Sequence, residues 1–165
     1  MDYLNFRNTT KKKLSDFNLN EIRGWTIDSL YHIEKKIDGV ISDYFKPEKK
    51  NDFDRVILNS SIISMGAKAK ILRNIESFDK NIITKIQKMV SIRNAFAHLP
   101  ITEDLTLSVT ENKIGEVSTE ITVISRMEIM TSSGEIKTRN SKELALDFLH
   151  LNTEIRDYLC KFTHT

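Results

Sequence analysis

The chain has 165 residues, enough for one domain of ordinary size and too few for two well-cored ones. Hydrophobic residues make up 39%, charged residues 29% and aromatic residues 8%, which fits a globular protein and excludes collagenous, disordered and membrane-spanning classes. Lys and Arg total 25 against 23 Asp and Glu, a formal charge of +2, so no overall positive field marks a nucleic-acid binder and any polyanion site must be local.

A single domain over residues 1–165 is therefore expected, and folding at this length removes roughly 70% of the surface of the unfolded chain, so no disulfide or metal is needed to hold it. The lone Cys160 excludes an intramolecular disulfide and a thiolate zinc cage, and it suits a reducing, cytoplasmic location. The stretch Met1–Phe6 lacks the basic segment and apolar core of a secretory signal, and no apolar run approaches the ~20 residues of a membrane span. With five glycines and two prolines, turn residues are scarce, which predicts long helices punctuated by Pro47 and Pro100.

From Asn20 to Phe45, the residues Ile22, Trp25, Leu30, Ile33, Ile37, Val40, Ile41 and Tyr44 recur at helical spacing and predict a helix of about seven turns. Asn18 or Asn20 can cap it, and Pro47 closes it. A charged loop, Pro47–Asp52, leads to a second helical stretch carrying Phe53, Val56, Ile57, Ile63, Ala67, Ile71 and Ile75. Its small central residues Ser60, Ser64, Gly66 and Ala67 admit either a close helix neighbour or a bend. A third helix is expected from Asp79 through Ile82, Ile83, Ile86, Met89, Val90, Phe96 and Ala97, ended by Pro100.

The character of the chain then changes. Leu105, Leu107 and Val109 alternate with polar residues, as do Val117–Val123 and Met127–Ile129, and Asn112–Gly115 and Ser132–Gly134 supply turns. These features predict a three-stranded antiparallel meander over about residues 103–139, with Glu135–Thr138 as its short last strand. Asn140 or Ser141 caps a final helix with Leu144, Phe148, Leu151, Ile155, Tyr158, Leu159 and Phe162 on one side. The expected class is mainly α (α+β): a bundle of about four helices with a small β-meander inserted before the C-terminal helix.

The segment most informative about chemistry is Ser91–His98. If the third helix buries Ile83, Ile86 and Val90, the same stripe continues to Arg93 and Ala97, placing a guanidinium where an apolar side chain is expected. A buried arginine requires a carboxylate, an anionic ligand or a wet groove at an interface. His98 lies about 140° around an ideal helix from Arg93, so the two meet only if the last turn before Pro100 distorts or if a two-fold dimer brings two copies of the helix together. Such a cleft suits a phosphodiester, since guanidinium groups bind phosphate bidentately and imidazole moves protons near neutral pH.

The run Arg93-Asn94-Ala95-Phe96-Ala97-His98, with four residues between arginine and histidine at the end of a helix, resembles the catalytic motif of the HEPN superfamily. The wider context is similar too: Ile62–Leu72 precedes the motif by about twenty residues, and a strand-rich insert separates it from the last helix. The resemblance implies a HEPN-like homodimeric bundle that acts as a metal-independent endoribonuclease. In such enzymes the substrate 2′-hydroxyl attacks the adjacent phosphate and leaves a 2′,3′-cyclic end. Carried over, His98 is the general acid or base, Arg93 holds the scissile phosphate, and Asn94 orients one of them or the phosphate. The resemblance further implies an RNA substrate, no cofactor, and a role as a toxin or phage-defence effector paired with an antitoxin or sensor protein. Other relatives keep the fold as non-catalytic binding or regulatory modules.

Bland readings stand beside these. Arg93 and His98 can simply complement the helix dipole, and Asn94 can satisfy carbonyls in the last turn. Lys68, Lys70, Arg73, Lys85 and Lys88 either flank an RNA track or form a solvated face, and Lys11–Lys13 are a short basic run. His32, His150 and His164 read as core-edge or surface residues without metal-ligand spacing, and Trp25 reads as core. Glu34 and Asp38 can neutralise Arg93 from a neighbouring helix or pair with Lys35 and Lys36 in solvent. Cys160 reads as a small buried residue.

Overall fold

A capping box opens the longest helix, α1 (Leu19–Phe45): the Asn18 side chain accepts from the Glu21 amide at 2.9 Å, and the Glu21 carboxylate accepts from the Asn18 amide at 2.9 Å. The computed structural model describes residues 3–4, 12–13, 18–111, 117–130 and 135–162. The predicted turns at Asn112–Gly115 and Ser132–Gly134, together with Lys11 and His164, lie outside the described residues. In α1 the stripe Ile22, Trp25, Leu30, Ile33, Ile37, Val40 and Ile41 is buried as its spacing predicts, whereas Tyr44 is 53% exposed in the final turn, edge to face with the exposed Phe45. The helix closes on Lys46 in the left-handed conformation (φ 47°, ψ 53°), whose amide donates to the Ser42 carbonyl, and Pro47 follows.

The helix expected over Phe53–Ile75 is broken. A short α2 (Lys50–Asp52) runs into a π-turn at Phe53–Ile57, and α3 (Met65–Arg73) starts afresh after a polar turn. The break falls where short polar side chains offer the backbone other partners. Asn59 Oδ1 accepts from the Ser61 amide at 2.9 Å and from its hydroxyl at 2.7 Å, and Ser64 Oγ accepts from the Ala67 amide at 3.3 Å to cap α3.

Helix α4 (Lys80–His98) is capped by Asp79, whose carboxylate accepts from the Asn81 amide at 2.8 Å. It stays helical through His98 and stops at Leu99 (φ −91°, ψ 142°), the extended conformation that Pro100 imposes on the residue before it. The meander follows as β3 (Ile101–Glu111), β4 (Val117–Met130) and β5 (Ile136–Asn140), antiparallel in that order. It starts two residues earlier than the sequence suggests, directly after Pro100, with Ile101 opposite Met127 and Met127 opposite Arg139. Met127 is fully buried, so this end of the sheet is tied to the helical core. Tyr3–Leu4 and Lys12–Lys13 form a further two-residue antiparallel ladder, β1 and β2, which the sequence pattern did not reveal.

Asn140 caps α5 (Ser141–Leu159) by accepting from the Lys142 and Glu143 amides at 2.8 and 3.4 Å. A 3-10 turn, Cys160–Phe162, ends the described chain. Because α5 stops at Leu159, Cys160 lies beyond the apolar face and is exposed, contrary to the expectation of a buried thiol.

Three long helices carry the core, with α3 against α1 and α4. Trp25 meets Phe148 edge to face at 5.1 Å, and Lys36 Nζ reaches Cys160 Sγ at 3.4 Å, so α1 and α5 run parallel. Helix α4 runs against both: Arg23 Nη2 donates to the Leu99 carbonyl at 2.9 Å at one end, and the Asp79 amide donates to the Tyr158 hydroxyl at 2.8 Å at the other. Ile33, Ile37, Ile41, Ile83, Ile86, Phe96, Phe148 and Ile155 have no exposed surface, and burial of each contributes roughly 1.5–3 kcal/mol. The observed class is thus mainly helical, with a small antiparallel sheet before the last helix.

Candidate functional site

The buried face of α4 does not follow one straight stripe. Ile82, Ile83 and Ile86 are buried in its first half, but the buried set then swings to Met89, Ile92, Ala95 and Phe96. Val90, Arg93 and Ala97 are left half-buried along the edge, and Asn94 and His98 are exposed. Arg93 is therefore not a core residue. It lies at the boundary between core and solvent, with no hydrogen bond or ion pair among the described residues. Asn94 likewise has no hydrogen bond there, so it does not satisfy last-turn carbonyls. With α4 regular to its end, Asn94 and His98 share one face, and Arg93 points about 140° away from His98 and lies about 7.5 Å further back along the axis. The distortion that would bring Arg93 and His98 together within one chain is absent.

A residue that sequence reasoning passed over sits at this same end. Arg23, on the first turns of α1, ties the C-terminus of α4 through its 2.9 Å bond to the Leu99 carbonyl. Its positive charge meets the negative end of the α4 dipole. Its Nε is buried without a hydrogen-bond partner among the described residues. No local signal points to it, because its partner is a backbone carbonyl 76 residues away.

The two carboxylates that could have neutralised Arg93 are committed elsewhere. Lys68, on α3, is 0% exposed, and its Nζ lies 2.6 Å from Glu34 Oε1 and 2.6 Å from Asp38 Oδ1. The contact with Glu34 has hydrogen-bond geometry, whereas Asp38 Oδ1 is in ion-pair contact without a well-aligned hydrogen bond. Asp38 Oδ2 accepts from Lys35 at 3.2 Å. Burial alone would lower the Lys35 pKa, but the hydrogen bond and charge of Asp38, helped by Tyr31 and Glu34, raise it above its ordinary value. Lys68 therefore belongs neither to an RNA track nor to a solvated face, because full burial between two carboxylates leaves it nothing to offer a ligand.

The remaining lysines divide. Lys85 pairs with Glu154 at 2.9 Å and Lys88 with Asp147 at 3.1 Å, both carboxylates on α5, while Lys70 is exposed on α3. They form no continuous unpaired basic track. Among the described residues no group of three or more His, Cys, Asp or Glu side chains is placed to hold a metal ion. Among the described residues no helix is long and apolar enough to cross a membrane.

What the arrangement offers chemically is a guanidinium at a half-buried boundary, unpaired among the described residues, and an imidazole at an exposed helix end, on two faces of one helix. Compared with known proteins, the chain matches no family model, no curated protein and no solved structure.

Proposed function

We propose that this protein is a homodimeric, metal-independent endoribonuclease of the HEPN kind, acting in the cytoplasm as a toxin or phage-defence effector under the control of an antitoxin or sensor protein. The observation that supports this reading best is the state of Arg93: half-buried and without an anionic partner among the described residues, while Glu34 and Asp38 are held by Lys68. A guanidinium left this way on a partly desolvated boundary is suited to receive a phosphate. The commitment of Glu34 and Asp38 also removes the basis for reading Arg93 as one half of an intramolecular ion pair with either of them.

Because α4 stays regular to His98, the arginine and histidine of one chain diverge, and a composite site needs α4 of a second chain. In that site Arg93 of one protomer holds the scissile phosphodiester. His98 of the other withdraws the 2′-hydroxyl proton or protonates the leaving 5′-oxygen, and Asn94, on the same face as His98, orients the phosphate or the ring. The bond formed is 2′-O to phosphorus and the bond broken is phosphorus to 5′-O, with no net redox change.

Incubation of the purified protein with mixed RNA in EDTA should give cleavage with 2′,3′-cyclic phosphate ends. His98→Ala should abolish it while leaving the melting temperature and oligomeric state unchanged. A His98→Ala variant as active as the parent would sink the catalytic assignment, and RNA left intact by the parent would favour a non-catalytic binding module.

A further inference from the structure

At the end of the bundle remote from His98, α1 and the end of α5 enclose a groove of about 510 Å³. Lys35, Lys36, Gly39 and Val40 line it from α1, and Arg156 and Phe162 from the other wall. Lys36 lies about 20 Å along α1 from Arg23, which marks the motif end of the bundle. This groove is therefore independent of the nuclease reading. Its volume falls within the range of small-molecule sites.

The charges in the groove are unequal and only partly compensated. Lys35 is engaged by Asp38, and the single lining carboxylate, Asp43, is engaged by Lys50 at 2.6 Å. Lys36 and Arg156 then have no carboxylate partner among the described residues, and the one polar contact described for Lys36 is the weak acceptor Cys160 Sγ at 3.4 Å. One turn before Arg156 on the same face of α5, Asn152 is 7% exposed and its Oδ1 has no hydrogen-bond partner among the described residues. The groove thus holds two cations, Lys36 and Arg156, without a carboxylate partner among the described residues.

The apolar part is equally defined. Phe162 is held by stacking on Phe78 (centroids 5.7 Å apart) and by Tyr158 at 5.4 Å, so its ring is a fixed wall. Gly39 sits in mid-helix, where glycine costs about 1 kcal/mol relative to alanine, yet nothing lies within 4 Å of where its Cβ would be. No packing contact requires that glycine, and the open space above it is the groove.

The geometry points to a binding site for a small phosphomonoester with a flat apolar body, its phosphate between Lys36 and Arg156 and its body over Gly39 and Val40 against Phe162. Arginine and lysine together supply the bidentate and point-charge donors a phosphate dianion takes.

Titration of the full chain with phenyl phosphate, followed by amide proton–nitrogen correlation spectra, tests this. Resonances of Gly39, Val40 and Phe162 should move saturably. Binding should weaken roughly tenfold or more in a Lys36→Gln, Arg156→Gln double variant, whose altered side chains lie at the surface. Gly39→Leu should fill the groove and abolish binding while raising helix propensity, so its effect cannot be ascribed to unfolding. Unmoved resonances, equal shifts from sodium chloride at matched ionic strength, or parent-like binding by the variants would overturn the proposal. So would a polyuridylate oligomer that moves the same resonances more tightly than phenyl phosphate at equal phosphate concentration, which would make the groove a nucleic-acid contact instead.

Discussion

Lys68 Nζ lies 2.6 Å from Glu34 Oε1 with none of its side chain exposed, so the short helix α3 is locked to the middle of α1 by a charge that has left water. Asp38 completes the cluster from one helical turn further on, and Lys35 caps it from outside. Removing the cation leaves two carboxylates buried at 8% and 5% exposure, with Lys35 on Asp38 as the remaining cationic contact among the described residues. Lys68→Ala should therefore cost about 3–5 kcal/mol, read from urea unfolding. A triple variant, Lys68→Met with Glu34→Gln and Asp38→Asn, should recover most of the loss, because no uncompensated charge remains. A Lys68→Ala loss below about 1 kcal/mol would mean the cluster is wetter than its burial indicates.

How far such features can be read in advance depends on the range of the interactions. The long helices α1, α4 and α5 were legible because local signals agree: Asn18, Asp79 and Asn140 at the caps, apolar spacing within, Pro47 and Pro100 after. The break between Phe53 and Ile75 was legible only as one of two options, a bend or a close helix neighbour at the small residues Ser60–Ala67, since apolar spacing continues across it and the decisive bonds are those of Asn59 and Ser64 to nearby backbone. Spacing carried along a straight face puts Arg93 on the core stripe, whereas the buried face of α4 turns after Met89. The sequence offers Glu34 and Asp38 as neutralisers of Arg93 or as solvent partners of Lys35 and Lys36; Asp38 does pair with Lys35, but neither carboxylate serves Arg93. Their common cation is Lys68, 34 residues from Glu34, and nothing in the spacing distinguishes it from Lys70.

The left-handed residue at the end of α1 carries its own consequence. Lys46 adopts φ 47° although its Cβ crowds the backbone there, a conformation glycine takes without that cost. Its amide already closes the helix on Ser42, and that bond is kept in any replacement. Lys46→Gly should raise the stability of the folded chain by roughly 0.5–1 kcal/mol, seen as a higher urea midpoint with an unchanged slope. A lower midpoint would show that the lysine side chain itself stabilises the turn.

Lys35 makes the stability of α1 depend on pH at the alkaline end. Its pKa is raised above the ordinary 10.5: burial opposes the shift, and the hydrogen bond and charge of Asp38, with Tyr31 and Glu34, outweigh it. A cation with a raised folded-state pKa adds stability that is fully present below its unfolded pKa and disappears as pH climbs through the folded value. The side chain is 46% exposed, so solvent screening holds the effect below about 1 kcal/mol. Lys35→Gln should thus be slightly less stable than the parent at about pH 8, with the difference shrinking above about pH 10.5. A constant difference across that range would place the loss in packing rather than charge.

The composite site has a stoichiometric signature. If each site takes Arg93 from one protomer and His98 from the other, an Arg93→Ala chain paired with a His98→Ala chain keeps one intact site and loses the second. Random mixing gives about half heterodimers, so activity should return to about one quarter of the parent from two inactive preparations. Both substitutions change residues at or beyond the edge of the α4 core face, so each variant should fold and dimerise as the parent does. The measurement is RNA cleavage in EDTA by each variant alone and after mixing with gentle dissociation and reassociation. Recovery near a quarter assigns the arginine and histidine to different chains. No recovery, with subunit exchange verified by mass, would place both in one chain and require the end of α4 to unwind when substrate binds.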